Sequence, residues 1–404
     1  MPAVEIKTGV YWIGVNDRTT DLFEGIWPIS KEGVSYNAYL VLDQKKALID
    51  LSKAIKTDEF FDQIGELTDP SQLNFVVVNH LEPDHSGVLR TLLKIAPDVT
   101  LVCSEKCREM LSKFYGIGKN VKTVRDGETL SLGTRTLRFV MAPFVHWPET
   151  MMTYEESDRL LFSCDAFGSY GALRGGLFDD ECRDPDFYEK EALRYYVNIV
   201  AKFSGPVLKA IEKLKGVELR VIAPSHGLVW RKDPGRIIAL YKKWAEFAAG
   251  EVPAGITLVY ASMYGNTEKM MNAVAQGISR TGLDLEVFDA ARTHISYILP
   301  SLWIRSGVII GAPTYEGSLF PPMSEVLNMA AVKRIFNRKA FLFGSYGWSG
   351  GGQRELLSRM ESLKWEVLDK FEFCGSPSQA DIRHGIETGE GFARRLAGSA
   401  AGKG

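Results

Sequence analysis

One run of six residues, His80-Leu81-Glu82-Pro83-Asp84-His85, offers four metal-ligating side chains directly after the apolar segment 75–79. Three further candidates lie downstream: His146 beyond the apolar segment 137–141, Asp165 beyond 160–163, and His226 beyond 219–223. Each stands just past a stretch with strand character, where the loops of a layered α/β fold converge. The chain has six histidines, and four of them occupy these positions. A lone histidine is ordinarily a hydrogen-bonded structural residue, and a lone aspartate a cap or turn residue. The joint pattern reads differently, because burying unpaired charge is costly. Four imidazoles and three carboxylates without a thiolate suit two borderline-to-hard ions such as iron better than structural zinc, which prefers Cys-rich closed shells. Two ions need a bridging group. A carboxylate has two oxygens to offer, and Asp165 is the expected bridge. A dinuclear zinc hydrolase uses a similar set, so zinc is the runner-up metal.

A second constellation sits far along the chain. Ser262-Met263-Tyr264-Gly265-Asn266-Thr267 joins a strand-like segment, 256–261, to a helix expected to begin near Glu268. Hydroxyl, Gly and Asn residues leading into a helix N-terminus make a phosphate cradle of backbone N–H groups. The loop contains no Lys or Arg, which suits a flavin monophosphate better than a triphosphate, and neither GxGxxG nor GxxxxGK[ST] is present. Two more loops follow strand-like segments: Pro313-Thr314-Tyr315-Glu316-Gly317 and Ser345-Tyr346-Gly347-Trp348-Ser349-Gly350. Each supplies an aromatic ring and glycines that let a planar ring system approach the backbone. Three aligned loops point to FMN.

The elements that position these residues divide the chain near residue 250. The first part reads as short strands over 10–14, 35–42, 46–50, 75–79, 100–103, 130–132, 137–141, 151–155, 160–163 and 219–223. Helices are expected over 57–67, 87–95 and 105–115, with one long helix over 186–214. The segment 248–255 contains small residues and Pro without a period, and reads as a linker. Beyond it strands at 256–261, 285–289, 307–312 and 340–344 alternate with helices at 268–281, 297–305, 323–329 and 354–363. That alternation predicts a parallel sheet with helices on both faces. The tail 397–404 is expected to fray.

Composition narrows the class. The 404 residues are 45% apolar and 24% charged, an ordinary globular balance, and the length favours two domains. A formal net charge of −2 lacks the basic surplus of a nucleic-acid protein. No apolar run is long enough for a bilayer, and the opening residues lack a signal-peptide pattern. Five cysteines, Cys103, Cys107, Cys164, Cys182 and Cys374, are too sparse for a disulfide scaffold and fit a reducing, cytoplasmic setting. They are expected to be small buried residues.

His-x-Glu-x-Asp-His with His146, Asp165 and His226 resembles the flavodiiron protein family. So do Ser35-Tyr36-Asn37-Ala38-Tyr39-Leu40, His146-Trp147-Pro148 and Ser225-His226-Gly227. In the hydrolase branch of the fold the second motif residue is normally His; here it is Glu82. The resemblance covers essentially the whole chain and implies a metallo-β-lactamase-like αββα domain over 1–250, then a flavodoxin-like, doubly wound FMN domain over 251–404. It implies that His80, Glu82 and His146 hold one iron, that Asp84 and His226 hold the other, and that Asp165 bridges; His85 is included in the ligand set. It implies an oxidase that reduces O2 to water, or NO to N2O, with electrons passed through FMN, in a head-to-tail homodimer or dimer of dimers. The text is most similar to methanogen-type members that oxidise reduced coenzyme F420. A separate rubredoxin is the other donor, since no Cys-x-x-Cys pair of a fused one is present. Tyr195 and Tyr196 resemble a pocket segment, with an ordinary core role equally open. Residues 19–33 depart from the usual family text. The competing readings are a dinuclear zinc hydrolase with an accessory flavodoxin-like module and a non-catalytic electron carrier.

Overall fold

The computed structural model describes residues 1–401, which form two compact units, one spanning Met1–Ala245 and a second beginning at Glu246. In the first unit a seven-stranded sheet runs in the order Val4–Lys7, Val10–Trp12, Tyr39–Val41, Ala47–Ile49, Phe75–Val78, Thr100–Ser104, Val121–Val124. Its last four strands are parallel. A five-stranded sheet contains Thr129–Ser131, Thr136–Met141, Met151–Glu155, Leu160–Cys164 and Val221–Pro224. Val77, Val102 and Tyr39 of the first sheet share one apolar core with Phe139, Leu137 and Phe162 of the second. Burying one face of each sheet against the other leaves the outer faces for helices, the αββα layering expected from the resemblance.

Strand direction is what gathers the candidate ligands. Thr136–Met141, Leu160–Cys164 and Val221–Pro224 point the same way, because Met151–Glu155 is antiparallel to the two strands beside it. His146, Asp165 and His226 therefore leave one edge of this sheet, and the His80–His85 segment leaves Phe75–Val78 of the other.

Several elements differ from the sequence reading. Residues 35–42 form two strands, Val34–Tyr36 and Tyr39–Val41, broken where the Asn37 backbone N–H donates to the Ser225 carbonyl at 2.7 Å. The long helix over 186–214 is interrupted: Pro185–Tyr195 is α-helical, Tyr196–Val200 is a π-turn, Ala201–Phe203 a 3-10 turn, and a new helix, Ser204–Lys213, restarts with Gly205 and Pro206 in its first turn. Proline fits there because first-turn N–H groups have no helical partner. Residues 19–33 contain a tight hairpin, Leu22–Phe23 with Trp27–Pro28, turning on Glu24 and Gly25, both at positive φ. Cys374 is exposed, contrary to the expectation for all five cysteines; Cys182 is half-buried and the other three are buried.

The second unit has a parallel sheet in the order Leu285–Asp289, Ile256–Tyr260, Gly307–Tyr315, Lys339–Tyr346, Glu366–Cys374. Counted along the chain this is 2-1-3-4-5, the flavodoxin-like order. The last strand and the closing helix Gln379–Ala401 were not read from the sequence. That helix includes residues 397–401 of the tail expected to fray; 402–404 lie outside the described residues. Its Gly385 and Gly389 pack against Asn266–Ser279, where added Cβ atoms would meet Met270 and the Val274 carbonyl.

Candidate metal centre and flavin cavity

Among the described residues, the side chains able to ligate a metal gather into two groups: His80, Glu82, His146 and Asp165, and Asp84, His85 and His226. The seven are the seven picked out by spacing. Pro83 starts a short helical turn, Pro83–Ser86, which brings Asp84 and His85 round to the second group while Glu82 stays with His80. Glu82 Oε2 lies 3.1 Å from His80 Nε2 and 2.9 Å from His146 Nε2. Asp84 Oδ2 lies 3.4 Å from both His85 Nε2 and His226 Nε2.

Asp165 faces both groups. Its Oδ2 is 3.4 Å from His80 Nε2 and 3.3 Å from His146 Nε2, while Oδ1 is 3.0 Å from His85 Nε2 and 3.4 Å from His226 Nε2. Those separations are short, yet both oxygens of Asp165, both of Asp84, both ring nitrogens of His85 and Nε2 of His226 are buried and make no hydrogen bond. Buried polar atoms are nearly always satisfied. In the first group Glu82 Oε2 is hydrogen-bonded to His80 and His146; at Asp165 and in the second group, polar atoms that crowd together without bonding one another aim at a common point, which is the arrangement cations require. The residues present therefore fit a pair of metal ions.

Electrostatics agrees. Burial opposes a proton on His146 and His226, but Asp165, with Glu82 or Asp84, outweighs it and raises them to about 9 and about 10. Burial pushes the Asp165 carboxyl up, yet His85 and the other imidazoles hold it well below the usual range. The pull that protonates these rings is the pull a divalent ion satisfies.

The outer ring nitrogens fix the tautomers. His226 Nδ1 donates to the Ser35 carbonyl at 2.7 Å. A carbonyl only accepts, so Nδ1 keeps its proton, and the proton a bound ion would displace is the one on Nε2. Asn37 holds the same loop through bonds from Nδ2 to the Pro224 and Gly227 carbonyls, both at 2.9 Å, and receives the Trp12 indole N–H at 2.9 Å. The 35–40 motif thus clamps the His226 loop. Behind His80, the buried carboxylate of Glu149 accepts from Nδ1 at 2.7 Å, a partner the sequence reading missed.

Two more residues come to the site from outside the motifs. Phe23, on the 19–33 hairpin, meets the His226 ring edge-on at 5.5 Å, and the Tyr195 ring lies 5.4 Å from it. The Tyr195 hydroxyl is buried and without a hydrogen bond, whereas Tyr196 shares a 2.7 Å bond with Ser204 in the core. The two tyrosines left level by the sequence are separated: Tyr195 stands at the site and Tyr196 does not.

In the second unit a cavity of about 610 Å³ opens at the carboxyl ends of the strands. It is lined by Ser262, Met263, Tyr264, Asn266, Thr267, Pro313, Thr314, Tyr315, Glu316, Gly317, Ser345, Tyr346, Gly347, Trp348 and Ser349, with Gly375 in addition. Of the expected residues, Gly265 and Gly350 do not line it. Gly265 instead sits at φ +87° before the helix Asn266–Ser279, its N–H donating to Ser262 Oγ at 3.0 Å. The loops are tied together: Thr267 Oγ1 and Ser345 Oγ are 2.8 Å apart, and the Gly352 N–H donates to Thr314 Oγ1 at 3.1 Å. A fourteen-residue helix aimed at hydroxyls, with Tyr315 and Trp348 beside them, fits a phosphate carrying a flat ring system.

Residues 34–227 match the model of the ODP family beta lactamase, and residues 258–389 match Flavodoxin. The nitric oxide reductase of Moorella thermoacetica is 34% identical over 98% of this chain and 99% of its own length. Among solved structures, the rubredoxin oxygen:oxidoreductase of Desulfovibrio gigas superposes with a TM-score of 0.93 at 29% identity, covering 99% of this chain and 100% of that one. The flavodiiron protein of Giardia intestinalis gives 0.92 at 29% identity over 98% of this chain and 97% of its own. With both domains matched in order and its full length covered by such relatives, this chain belongs to the flavodiiron protein family.

Proposed function

We propose that this protein reduces O2 to water, with reduction of NO to N2O as its second reaction, at a pair of iron ions fed with electrons through FMN. The observation that carries this reading is Asp165, whose two oxygens face two separate ligand groups. The relatives named for oxygen and for nitric oxide reduction support the same chemistry. His80, Glu82 and His146 are assigned to one iron, Asp84, His85 and His226 to the other, and Asp165 to both. When bound, the irons supply electrons to the small oxidant and FMN supplies electrons to the irons. The reactions balance as O2 with four electrons and four protons giving two waters, and two NO with two electrons and two protons giving N2O and one water.

The chain's own residues prepare the site for this. Ser35 and Glu149 hold the His226 and His80 rings with Nε2 turned inward. Phe23, Tyr170 and Tyr195 form an aromatic wall beside His226 that excludes bulk water. Tyr195, whose ring lies 5.4 Å from that of His226 and whose hydroxyl makes no hydrogen bond, is assigned to hydrogen-bond the bound oxidant. In the second unit, the 262–267 loop is assigned to the flavin phosphate, and Tyr315, Tyr346 and Trp348 to its ring system.

Reduced coenzyme F420 is the proposed donor, with a separate rubredoxin as the alternative. Tyr264 and Trp348 at the cavity rim are 90% and 95% exposed, and offer faces on which a planar donor stacks. A cytoplasmic location and a head-to-tail dimer, which would bring FMN of one copy to the irons of the other, complete the reading. No helix among the described residues is long and apolar enough to cross a membrane. The test is anaerobic reduction of the FMN- and iron-loaded protein by each donor, followed by titration with O2 and with NO. Reoxidation of the flavin with consumption of either gas is expected; flavin that stays reduced in both gases refutes the reading.

A further inference from the structure

Glu149 is buried, and its place is set from both sheets of the first unit. Its carbonyl accepts from Ser104 Oγ at 2.7 Å, and Met151, two residues on, donates its N–H to the Asn79 carbonyl at 3.0 Å. From that position Oε1 accepts from His80 Nδ1 at 2.7 Å and from the Leu81 N–H at 3.0 Å, while Oε2 makes no hydrogen bond. Trp147 closes the other side, its ring edge-on to His80 at 5.1 Å. The other imidazoles are served differently. His226 Nδ1 meets a neutral carbonyl and His85 Nδ1 makes no hydrogen bond. Among the described residues a carboxylate reaches the outer nitrogen of His80 alone.

We infer that Glu149 is a positioning residue that makes the two metal positions unequal. It locks the His80 ring and adds negative charge behind it, so the position of His80, Glu82 and His146 holds its ion more tightly than that of Asp84, His85 and His226. Otherwise each position has one carboxylate of its own and one oxygen of Asp165, and among the described residues His80 alone has a carboxylate bonded to its outer ring nitrogen. A carboxylate on a ligating imidazole raises its basicity and fixes its orientation, and losing such a partner typically costs roughly ten- to a hundredfold in metal affinity. The inference rests on the di-iron reading above.

The test uses the full FMN-containing chain, loaded anaerobically with ferrous iron. Wild-type protein that takes up no pair of irons refutes the di-iron reading itself. Given two irons, one equivalent of iron-57 should give a single Mössbauer doublet, and two equal doublets would overturn the inference without any variant. Release to a ferrous chelator should be biphasic in wild type. In Glu149→Gln the slower phase should quicken roughly ten- to a hundredfold, with flavin content unchanged, and Glu149→Asp, which keeps the charge, should recover part of the loss. Release from Glu149→Gln at wild-type rates in both phases would overturn the inference and leave the di-iron reading standing.

Discussion

Replacing Asp165 by Asn keeps the size of a side chain that is 1% exposed, but removes one unit of charge and turns one oxygen into an amide nitrogen that cannot ligate. Its oxygens stand 3.0 to 3.4 Å from four different imidazoles, so the loss falls on both metal positions at once. At about 3 Å and an effective dielectric of about 20, one unit of charge is worth roughly 5 kcal/mol to each unit of cation charge. Even half of that corresponds to roughly a hundredfold weaker binding. Asp84→Asn is the control, because Asp84 faces only His85 and His226. Iron per chain, measured after equilibration with a ferrous chelator, should fall toward zero in Asp165→Asn and toward one in Asp84→Asn. FMN content should stay at the wild-type level in both. Two irons retained at wild-type affinity by Asp165→Asn, or one iron lost from each variant, would refute a carboxylate shared between two positions.

Other expectations follow from the same geometry. Thr267 is buried and bonded to Ser345 at the end of the 262–267 loop proposed to hold the flavin phosphate; Thr267→Glu would place an anion there, and FMN affinity read by absorbance should fall by at least about tenfold. A Cβ on Gly277 would collide with the Ile386 carbonyl, so Gly277→Ala should destabilise the flavodoxin unit by about 1–3 kcal/mol in denaturant titration. Arg194 donates to the Pro28 carbonyl at 2.9 Å and to Glu191 at 2.7 Å; Arg194→Met strands a buried carboxylate, costing about 3–5 kcal/mol, and should open residues 19–33 to limited proteolysis. Chelating the metals should lower the thermal midpoint, since ions that bind only the native state stabilise it by mass action.

The metal centre was legible because its residue types are rare and its spacing is local. His80, His146, Asp165 and His226 each come after an apolar run, with His85 five residues beyond His80, and strand ends are where a layered α/β fold brings distant loops together. The split into two groups was not legible in the same way: the turn at Pro83 that sends Asp84 and His85 away from Glu82 is a property of the backbone. Glu149 was missed because a single acidic residue after His-Trp-Pro looks like any turn residue until the opposite sheet supplies Ser104 and Asn79. Phe23 was hidden in a hairpin whose strands are two residues each, too short for periodicity to register. The break at Asn37 comes from bonds to a loop almost 190 residues away, which no local pattern records. In the flavin unit the β/α alternation reported the sheet; Gly265 turns its loop at φ +87° rather than lining the cavity, and Gly350 lies just past the lining residues 345–349.

A pair of irons sharing Asp165 is tested most directly by a crystal of the iron-loaded protein measured on both sides of the iron absorption edge. Two anomalous peaks per chain are expected, about 3.5 Å apart, one oxygen of Asp165 on each, with His80, Glu82 and His146 around one and Asp84, His85 and His226 around the other. A single peak, or peaks that follow the zinc edge, would contradict the shared pair.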